Sequence, residues 1–168
     1  AEGAFPAHLF MKSNLYGDHV VDGQVVSKGT VINFFLGLAT AGDPLTVYEP
    51  GSQARNYVHV KDIAQLYVDS AERLHEQLRA GETGVERYAI GSDQDPGVMT
   101  VAEQVQSVAA EYGIDVDIEL VENPRAGEET LVEEFGVDTS KAREQLGWEP
   151  THTIEDAIRT LFERELDR

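Results

Sequence analysis

The sequence of 168 residues contains no cysteine, which excludes disulfide bonds and thiolate metal sites and leaves the redox compartment undetermined. It contains no apolar run near the roughly 20 residues that span a bilayer, and its first residues lack a signal-peptide pattern. With 41% hydrophobic and 26% charged residues, the composition is that of a soluble globular protein. We therefore expect one cytoplasmic domain over residues 1–168.

Positive charge is scarce, because 13 basic residues, only four of them lysines, oppose 31 acidic ones and give a net charge of -18. Such a surface repels nucleic acid and anionic lipid, so we expect neither as a partner. The acidic residues are interspersed with the apolar positions of predicted helices, which favours an ordered fold over disorder. The surface is similar to that of proteins from salt-loving archaea, and we expect such an origin. An ordinary acidic cytosolic protein is the alternative.

Strand and helix patterns interleave along the chain, which indicates the α/β class. Alternating or continuously apolar runs predict strands at 7–13, PLTVY, RNYVHV, ERYAIGS and VDIELVE. Residues 17–29 are expected to be a loop. Apolar residues three and four positions apart predict a helix after Lys61 and another over 153–166. Cap and stop residues predict helices over 30–41, over 100–113 and from Asp138. The helix over 100–113 starts with a capping box, Thr100 and Glu103.

Four sequence blocks carry a resemblance to a known family. They are SNLYG (13–17), GDPLTVYEPGSQARNYVHVKDIAQ (42–65), YAIGS with MTVAEQV (88–105) and VDTSKAREQLGWEPTHTIEDAI (137–158). In this order they resemble the C-terminal half of the extended short-chain dehydrogenases/reductases, the family of NAD-dependent nucleotide-sugar epimerases and dehydratases. The implied fold is the C-terminal part of a Rossmann-type α/β fold with a small α/β substrate-binding subdomain.

Two parts of the family pattern are expected to be absent from this chain. They are the glycine-rich turn that seats the cofactor's pyrophosphate and the Tyr-x-x-x-Lys pair that transfers protons. The resemblance places both in an N-terminal Rossmann half, which would bind NAD and which we expect this chain to lack. The chain alone is then expected to be catalytically inactive. The family is commonly dimeric through helices of that half, so the resemblance allows a homodimer.

The resemblance implies a site for a nucleoside diphosphate. Arg55 matches the family's diphosphate-binding arginine, and a guanidinium suits phosphate because it donates two parallel hydrogen bonds. Arg125 matches a second phosphate-binding arginine. Glu128 matches an acid that accepts hydrogen bonds from the ribose hydroxyls. The alternatives are a surface ion pair for Arg55 and a chance pair in a polar loop for the other two.

Five further residues are candidates for the same substrate-binding site. Asn14 matches an asparagine that contacts the diphosphate or the sugar, although it is also a common turn residue. Asn33 could bond a phosphate near a helix N-terminus or simply face solvent. Leu45, Val47 and Tyr48 are expected to form a shelf for the base, with a core position as the alternative for Tyr48.

The leading hypothesis is the nucleotide-diphosphate-sugar binding portion of an NAD-dependent sugar epimerase or 4,6-dehydratase. One alternative is the corresponding portion of an enzyme like UDP-sulfoquinovose synthase, because ENPRAGEE (122–129) is similar to a stretch of that branch. Another is a non-catalytic module that binds nucleotide sugars. No metal site is expected, and His59 and His152 are interpreted as structural residues.

Overall fold

The computed structural model of the chain describes residues 3–27, 29–124, 126–127 and 131–166. Strands and helices interleave within these residues, which confirms the α/β class. The strands are β1 (Pro6–Lys12), β2 (Asn14–Tyr16), β3 (Asp18–Val21), β4 (Gln24–Ser27), β5 (Leu45–Tyr48), β6 (Tyr57–His59), β7 (Gly84–Ile90) and β8 (Ile118–Val121). The helices are α1 (Val31–Ala41), α2 (Val60–Arg79), α3 (Val98–Glu111), α4 (Ser140–Leu146) and α5 (Ile154–Leu166).

The described strands form four pairs. β1 runs parallel to β7, β2 to β6 and β5 to β8, whereas β3 and β4 are antiparallel. A parallel pair needs a crossover connection, and the helices between the partners supply it. None of the helices in the described ranges is both long and apolar enough to cross a membrane.

One hydrophobic core lies between α1, α3, α5 and β5. α1 buries residues 32, 35, 36 and 39, and α5 buries residues 154, 157, 158, 161 and 162. This spacing of three and four places the apolar side chains on one face of each helix. α5 was predicted from that spacing and α1 from its flanking Thr30 and Gly42, and the structure confirms both helices.

A second core lies between the β1–β7 pair, α2 and α4. Trp148 is 1% exposed in this core, and its indole N–H donates a hydrogen bond to the carbonyl of Asp62 at 2.8 Å. The tryptophan therefore fastens the chain after α4 to the first turn of α2. The LGWEP stretch predicts instead an anchor between the last two helices, and that prediction is wrong, because no residue of α5 belongs to this core.

The expected loop over residues 17–29 is wrong, because most of it is the β3–β4 hairpin. Asp22 has a φ of 50° and Gly23 a φ of 76°. Two successive left-handed residues are the pattern of a type I′ turn, for which Asp-Gly is a strong sequence signal. The valines on both sides of Asp22-Gly23 are therefore strand residues.

The predicted start of α3 is also wrong. The helix begins at Val98 with Gly97 as its N-cap, so Thr100 lies inside the first turn. The N–H groups of Val98 and Met99 donate to the carbonyls of Gln53 and Gly51 at 3.2 and 2.9 Å. Backbone partners from another part of the chain thus replace the expected capping box.

Candidate functional site

A cavity of about 600 Å³ lies between the start of α1, strand β5 and residues 53–55. Three of the predicted binding residues line it together, namely Asn33, Tyr48 and Arg55. Five other polar or aromatic residues join them, Thr30, Phe34, Phe35, Thr46 and Gln53. The cavity is the best candidate for a functional site because it is roomy, mostly apolar and has a few polar groups.

Arg55 supplies positive charge to this cavity. One terminal nitrogen of its guanidinium donates to the carbonyl of Ala54 at 2.8 Å, and its backbone N–H donates to Pro96 at 3.4 Å. No ion pair of Arg55 with a carboxylate is found in the part of the chain that the structure describes. The other guanidinium donors can therefore serve an anionic ligand.

The N-terminus of α1 adds to the positive potential of the cavity. The first hydrogen bond within the helix runs from the N–H of Phe34 to the carbonyl of Thr30 at 2.9 Å. The N–H groups of residues 31–33 therefore have no carbonyl partner within the helix, and the Thr30 side chain makes no capping bond. Such a helix end carries partial positive charge and favours anions.

Asn33 lies in the first turn of α1, and the nitrogen of its side-chain amide is hydrogen-bonded. Its Nδ2 donates to the carbonyl of Gly17 at 3.3 Å, and its Oδ1 has no hydrogen-bond partner. The Gly17 contact fixes the amide so that its oxygen is the group left without a partner. The predicted contact of Asn33 with a phosphate stays a prediction.

Strand β5 presents the cavity with a different face from the one expected. Leu45 and Val47 are fully buried in the core, whereas Thr46 and Tyr48 line the cavity. Successive side chains of a strand point to opposite faces, so only one of these pairs can reach the cavity. The expected shelf of Leu45 and Val47 side chains is corrected accordingly. Tyr48 is 52% exposed and is not a core residue.

Asn14 lies apart from the Arg55 cavity. It lines a second cavity of about 380 Å³ at the carboxyl ends of β1 and β7, together with Ser13 and Phe135. Its Nδ2 donates to the carbonyl of Asn56 at 3.2 Å. Ligands of α/β proteins bind beyond the carboxyl ends of parallel strands, so this position fits the predicted contact with a sugar.

Arg125 and Glu128 lie outside the described residues. The predicted convergence of Arg55 and Arg125 on one ligand therefore stays a prediction, as does the role of Glu128. The stretch that resembles UDP-sulfoquinovose synthases, 122–129, lies partly outside them as well.

The spacing Tyr-x-x-x-Lys, which we expected to be absent, does occur at Tyr57 and Lys61. Tyr57 is 2% exposed on β6, its hydroxyl has no hydrogen-bond partner, and burial raises the pKa of Tyr57 to about 12. Lys61 is exposed in the first turn of α2. A tyrosine that transfers protons needs access to substrate and a lowered pKa. This pair therefore does not have the properties of the family's catalytic pair.

Buried His59 and Asp62 and the partly exposed His152 form a cluster that we call the histidine hub. The rings of His59 and His152 stack with centroids 4.4 Å apart, and Nδ1 of His152 lies 2.7 Å from the carboxylate of Asp62. Burial is the main cause that lowers the pKa of His59 to about 4. No group of three or more candidate metal ligands is found within the described ranges. Both histidines make contacts within the fold, and their interpretation as structural residues stays a prediction.

The model of the NAD dependent epimerase/dehydratase family matches residues 1–91, which is more than half of the chain. The chain belongs to this family. It is 31% identical over 156 residues to UDP-glucuronic acid decarboxylase 6 of Arabidopsis thaliana, a match that covers 89% of this chain and 38% of that protein. It is 32% identical over 124 residues to the low-salt glycan biosynthesis protein Agl12 of Haloferax volcanii, covering 74% and 35% of the two chains.

A solved structure of the family has the same fold. The crystal structure of UDP-glucose 4-epimerase from Bifidobacterium longum, in complex with NAD+ and UDP, matches 96% of this chain with a TM-score of 0.70 at 19% identity. The match covers 48% of that epimerase. The chain described here thus spans less than half the length of each of these three relatives.

Several lining residues were missed by the sequence reasoning, among them Thr30, Phe34, Thr46 and Gln53. Gln53 lies in the GSQAR part of the second block, so a signal for it was available. Thr30 and Phe34 lie within one turn of the predicted Asn33, and Thr46 alternates with the predicted Leu45 and Val47. These three residues are identified only by the side of α1 or β5 that is turned towards the cavity, and that side depends on the core behind the two elements.

The expectation that NAD is bound outside this chain stays a prediction. The seat for its pyrophosphate is a glycine-rich turn from a strand into a helix. The described connection from β6 into α2 is not such a turn, because it runs directly through His59. No hydride-transfer step is assigned to the described residues.

Proposed function

We propose that this chain is the nucleotide-diphosphate-sugar binding portion of an NAD-dependent sugar epimerase or 4,6-dehydratase. Its membership of the NAD dependent epimerase/dehydratase family supports the reaction class. The names of its relatives and of the matched structure contain UDP-glucuronic acid, UDP-glucose and UDP, which supports a nucleotide sugar as the ligand. The Arg55 cavity is the site that we assign to the nucleoside diphosphate.

The observation that carries this proposal is the pairing of Arg55 with the N-terminus of α1 on one cavity. A diphosphate brings two or more negative charges, which a guanidinium and a helix N-terminus both stabilise. The base then lies against the half-exposed rings of Tyr48 and Phe34. The sugar extends towards the second cavity, where Asn14 lies at the ends of β1 and β7.

The remaining parts of the reaction are assigned to residues outside this chain. NAD and the proton-transferring Tyr/Lys pair belong to the Rossmann part of the enzyme in this proposal. This chain binds and orients the diphosphate so that the sugar is held for reaction, which is a contribution through positioning. A cytoplasmic enzyme of a salt-loving archaeon is the setting that we propose, with the net charge of -18 and the similarity to a Haloferax volcanii protein in its support.

Removal of the guanidinium tests the proposal. The intact protein is titrated calorimetrically with UDP-glucose and dTDP-glucose in concentrated KCl. We expect Arg55→Ala to weaken binding by about 1.5–3 kcal/mol, the range for hydrogen bonds to charged groups. Arg125→Ala is measured in the same way and is expected to have an effect of similar size.

Arg79→Ala is the matched control, because Arg79 is exposed at the end of α2 and does not line the cavity. Its affinity is expected to equal that of the unchanged protein. Equal affinities for the unchanged protein, Arg55→Ala and Arg125→Ala would overturn the assignment. If Arg79→Ala weakened binding as much as Arg55→Ala, the loss of affinity would come from the change in overall charge and not from the cavity.

A further inference from the structure

Lys12 is a charged side chain at the second cavity. It is the last residue of β1, it is exposed, and it lines that cavity beside Asn14 at the carboxyl ends of β1 and β7. The other described residues of the lining include no acid and are Met11, Ser13, Ala89, Ile90, Phe135 and Val137. In a chain with 31 acidic and 13 basic residues, a cavity lined by a cation and no carboxylate is suited to an anionic group.

The ammonium of Lys12 is held in place by an aromatic side chain and not by an acid. Its Nζ donates to the hydroxyl of Tyr67 at 3.1 Å and lies 5.3 Å from the centroid of the Tyr67 ring. The ring of Phe10 meets that of Tyr67 edge-on, with the centroids 5.6 Å apart, and so restricts the position of Tyr67. The neutral tyrosine orients the ammonium without compensating its charge. Two of the three N–H donors of the ammonium are left for other partners.

Lys141 provides a comparison within the same protein. Its Nζ also lies over a tyrosine ring, 5.0 Å from the centroid of Tyr88, but it donates to the carboxylate of Glu86 at 2.6 Å. Lys12 makes no such ion pair among the residues that the structure describes, although the net charge of the chain is -18. An oriented and exposed cation without an acidic partner can therefore form a charge-assisted hydrogen bond with a ligand in the cavity.

We propose that Lys12 binds a carboxylate on the sugar, so that the ligand of this chain is a nucleotide sugar of the uronic acid class. This inference rests on the proposed function, which directs the sugar towards the second cavity, and it adds the charge of that sugar. The negative field of the whole chain repels a further carboxylate, so a preference for one requires a local cation.

The inference also separates the two proposed reactions. A 4,6-dehydratase removes the hydroxyl at C6 of its sugar as water. A uronic acid has a carboxylate at C6 and no hydroxyl to remove. A uronic acid in the second cavity therefore favours epimerisation over 4,6-dehydration.

The test compares UDP-glucose, UDP-glucuronic acid and the methyl ester of UDP-glucuronic acid in calorimetric titrations of the intact protein in concentrated KCl. The ester keeps the sugar and removes the charge of its carboxylate. We expect the unchanged protein to bind the acid about tenfold more tightly than either neutral sugar, the scale of a hydrogen bond to a charged group. Lys12→Met keeps the length of the side chain and removes its charge. We expect it to weaken the acid about tenfold and to leave UDP-glucose nearly unchanged.

Lys61→Met is the matched control, because Lys61 is also an exposed lysine but does not line the second cavity. It removes the same charge from the chain and is expected to keep the full preference for the acid. Loss of the preference in this variant as well would assign it to overall charge and overturn the inference. Because the comparison of acid and ester needs only the unchanged protein, the inference stays testable even if Lys12→Met fails to fold.

Further results would also overturn the inference, and one of them reaches further. Binding of all three ligands with equal affinity by the unchanged protein shows that the carboxylate is not recognised, and it leaves the diphosphate site standing. A preference that survives in Lys12→Met removes Lys12 as the binding residue. Equal weakening of UDP-glucose and the acid in Lys12→Met assigns the lysine to a phosphate of the ligand. Failure of the unchanged protein to bind UDP or any of the three sugars overturns the proposed function together with this inference.

Discussion

Gly17 ends the SNLYG block and is required there for two separate reasons. Its φ is 78°, a left-handed conformation that side chains with a Cβ disfavour. A Cβ built on it would also fall within the ring of His59, which is itself buried at 4% exposure. The residue therefore sets both the backbone path after β2 and the position of the histidine hub.

The substitution Gly17→Ala should reduce the free energy of unfolding by about 2–5 kcal/mol. Roughly 1–2 kcal/mol comes from the left-handed backbone, and a further 1–3 kcal/mol comes from pushing a buried ring aside. Urea denaturation followed by circular dichroism measures the change. Gly113→Ala is the control, because Gly113 has a φ of 75° but nothing within 4 Å of its Cβ position. Equal losses for the two variants would show that His59 is not displaced.

At the residue scale, the sequence predicted which residue types line the cavity better than it predicted the side of a strand to which each side chain points. Arg55, Asn33 and Tyr48 were named from the sequence, and the structure brings all three to one cavity. Leu45 and Val47 were assigned to the wrong side of β5, because the family block names the residues of the strand but not the side to which each of them points. The position of α1 behind Leu45 decides the facing, and no local pattern contains that information.

The histidine hub joins two elements that are far apart in sequence, the start of α2 and the segment before α5. The buried carboxylate of Asp62 accepts from the hydroxyl of Thr151 at 2.9 Å and from the backbone N–H of His152 at 3.2 Å. On the other side, the edge of the Tyr16 ring meets His59, and the Tyr16 hydroxyl donates to the carbonyl of His152 at 3.1 Å. The hub therefore couples the two hydrophobic cores.

Stability should fall as the pH drops from about 6.5 to 4 because of His59. Its pKa is lowered to about 4 from the ordinary 6.5, so in this range the unfolded chain binds a proton that the folded protein rejects. Asp62 opposes this shift, whereas burial, His152, Lys61 and His19 favour it. The contribution reaches about 3 kcal/mol when the pH has passed through both values. Urea denaturation at a series of pH values measures it.

His59→Asn isolates this contribution, because asparagine does not titrate here and can replace the N-cap bond that His59 accepts from the N–H of Lys61. We expect the variant to lose less stability between pH 6.5 and 4 than the unchanged protein. His75→Asn is the control, since His75 is exposed on α2. If the slopes of all three proteins coincide, carboxylates alone account for the acid sensitivity.

Among the elements, the helices were predicted more reliably than the turns. Each described helix was expected either from apolar residues three and four positions apart or from the cap and stop residues at its ends, and both signals are local. The β3–β4 hairpin was missed because its valines, which are 41–55% exposed, do not alternate with polar residues. The start of α3 was misplaced because Gln53 and Gly51, distant in sequence, satisfy its first N–H groups.

The arrangement of the whole molecule could be predicted only through the family resemblance. The strand partners are 40 to 80 positions apart in three of the four pairs, as in β1 with β7, β2 with β6 and β5 with β8. Composition and periodicity contain no information on such pairings. Composition does determine the net charge, and that charge affects the stability of the whole molecule.

The net charge of -18 should make the stability of the protein strongly dependent on salt. Repulsion between exposed carboxylates destabilises the compact state. It acts over about 10 Å at 0.1 M salt and about 3 Å at 1 M. We expect the melting temperature to rise by at least about 4 °C between 0.1 and 2 M KCl, corresponding to about 2 kcal/mol for a chain of this size. Differential scanning calorimetry measures the shift.

Charge reversal separates repulsion from other effects of salt on folding. Glu82, Glu103 and Glu133 are exposed, and replacing all three by lysine changes the net charge from -18 to -12, two units for each substitution. If repulsion is the cause, the triple variant melts higher than the unchanged protein at 0.1 M KCl and gains less from added salt. Parallel salt dependence of the two proteins would mean that salt acts on buried apolar surface, which the substitutions leave unchanged.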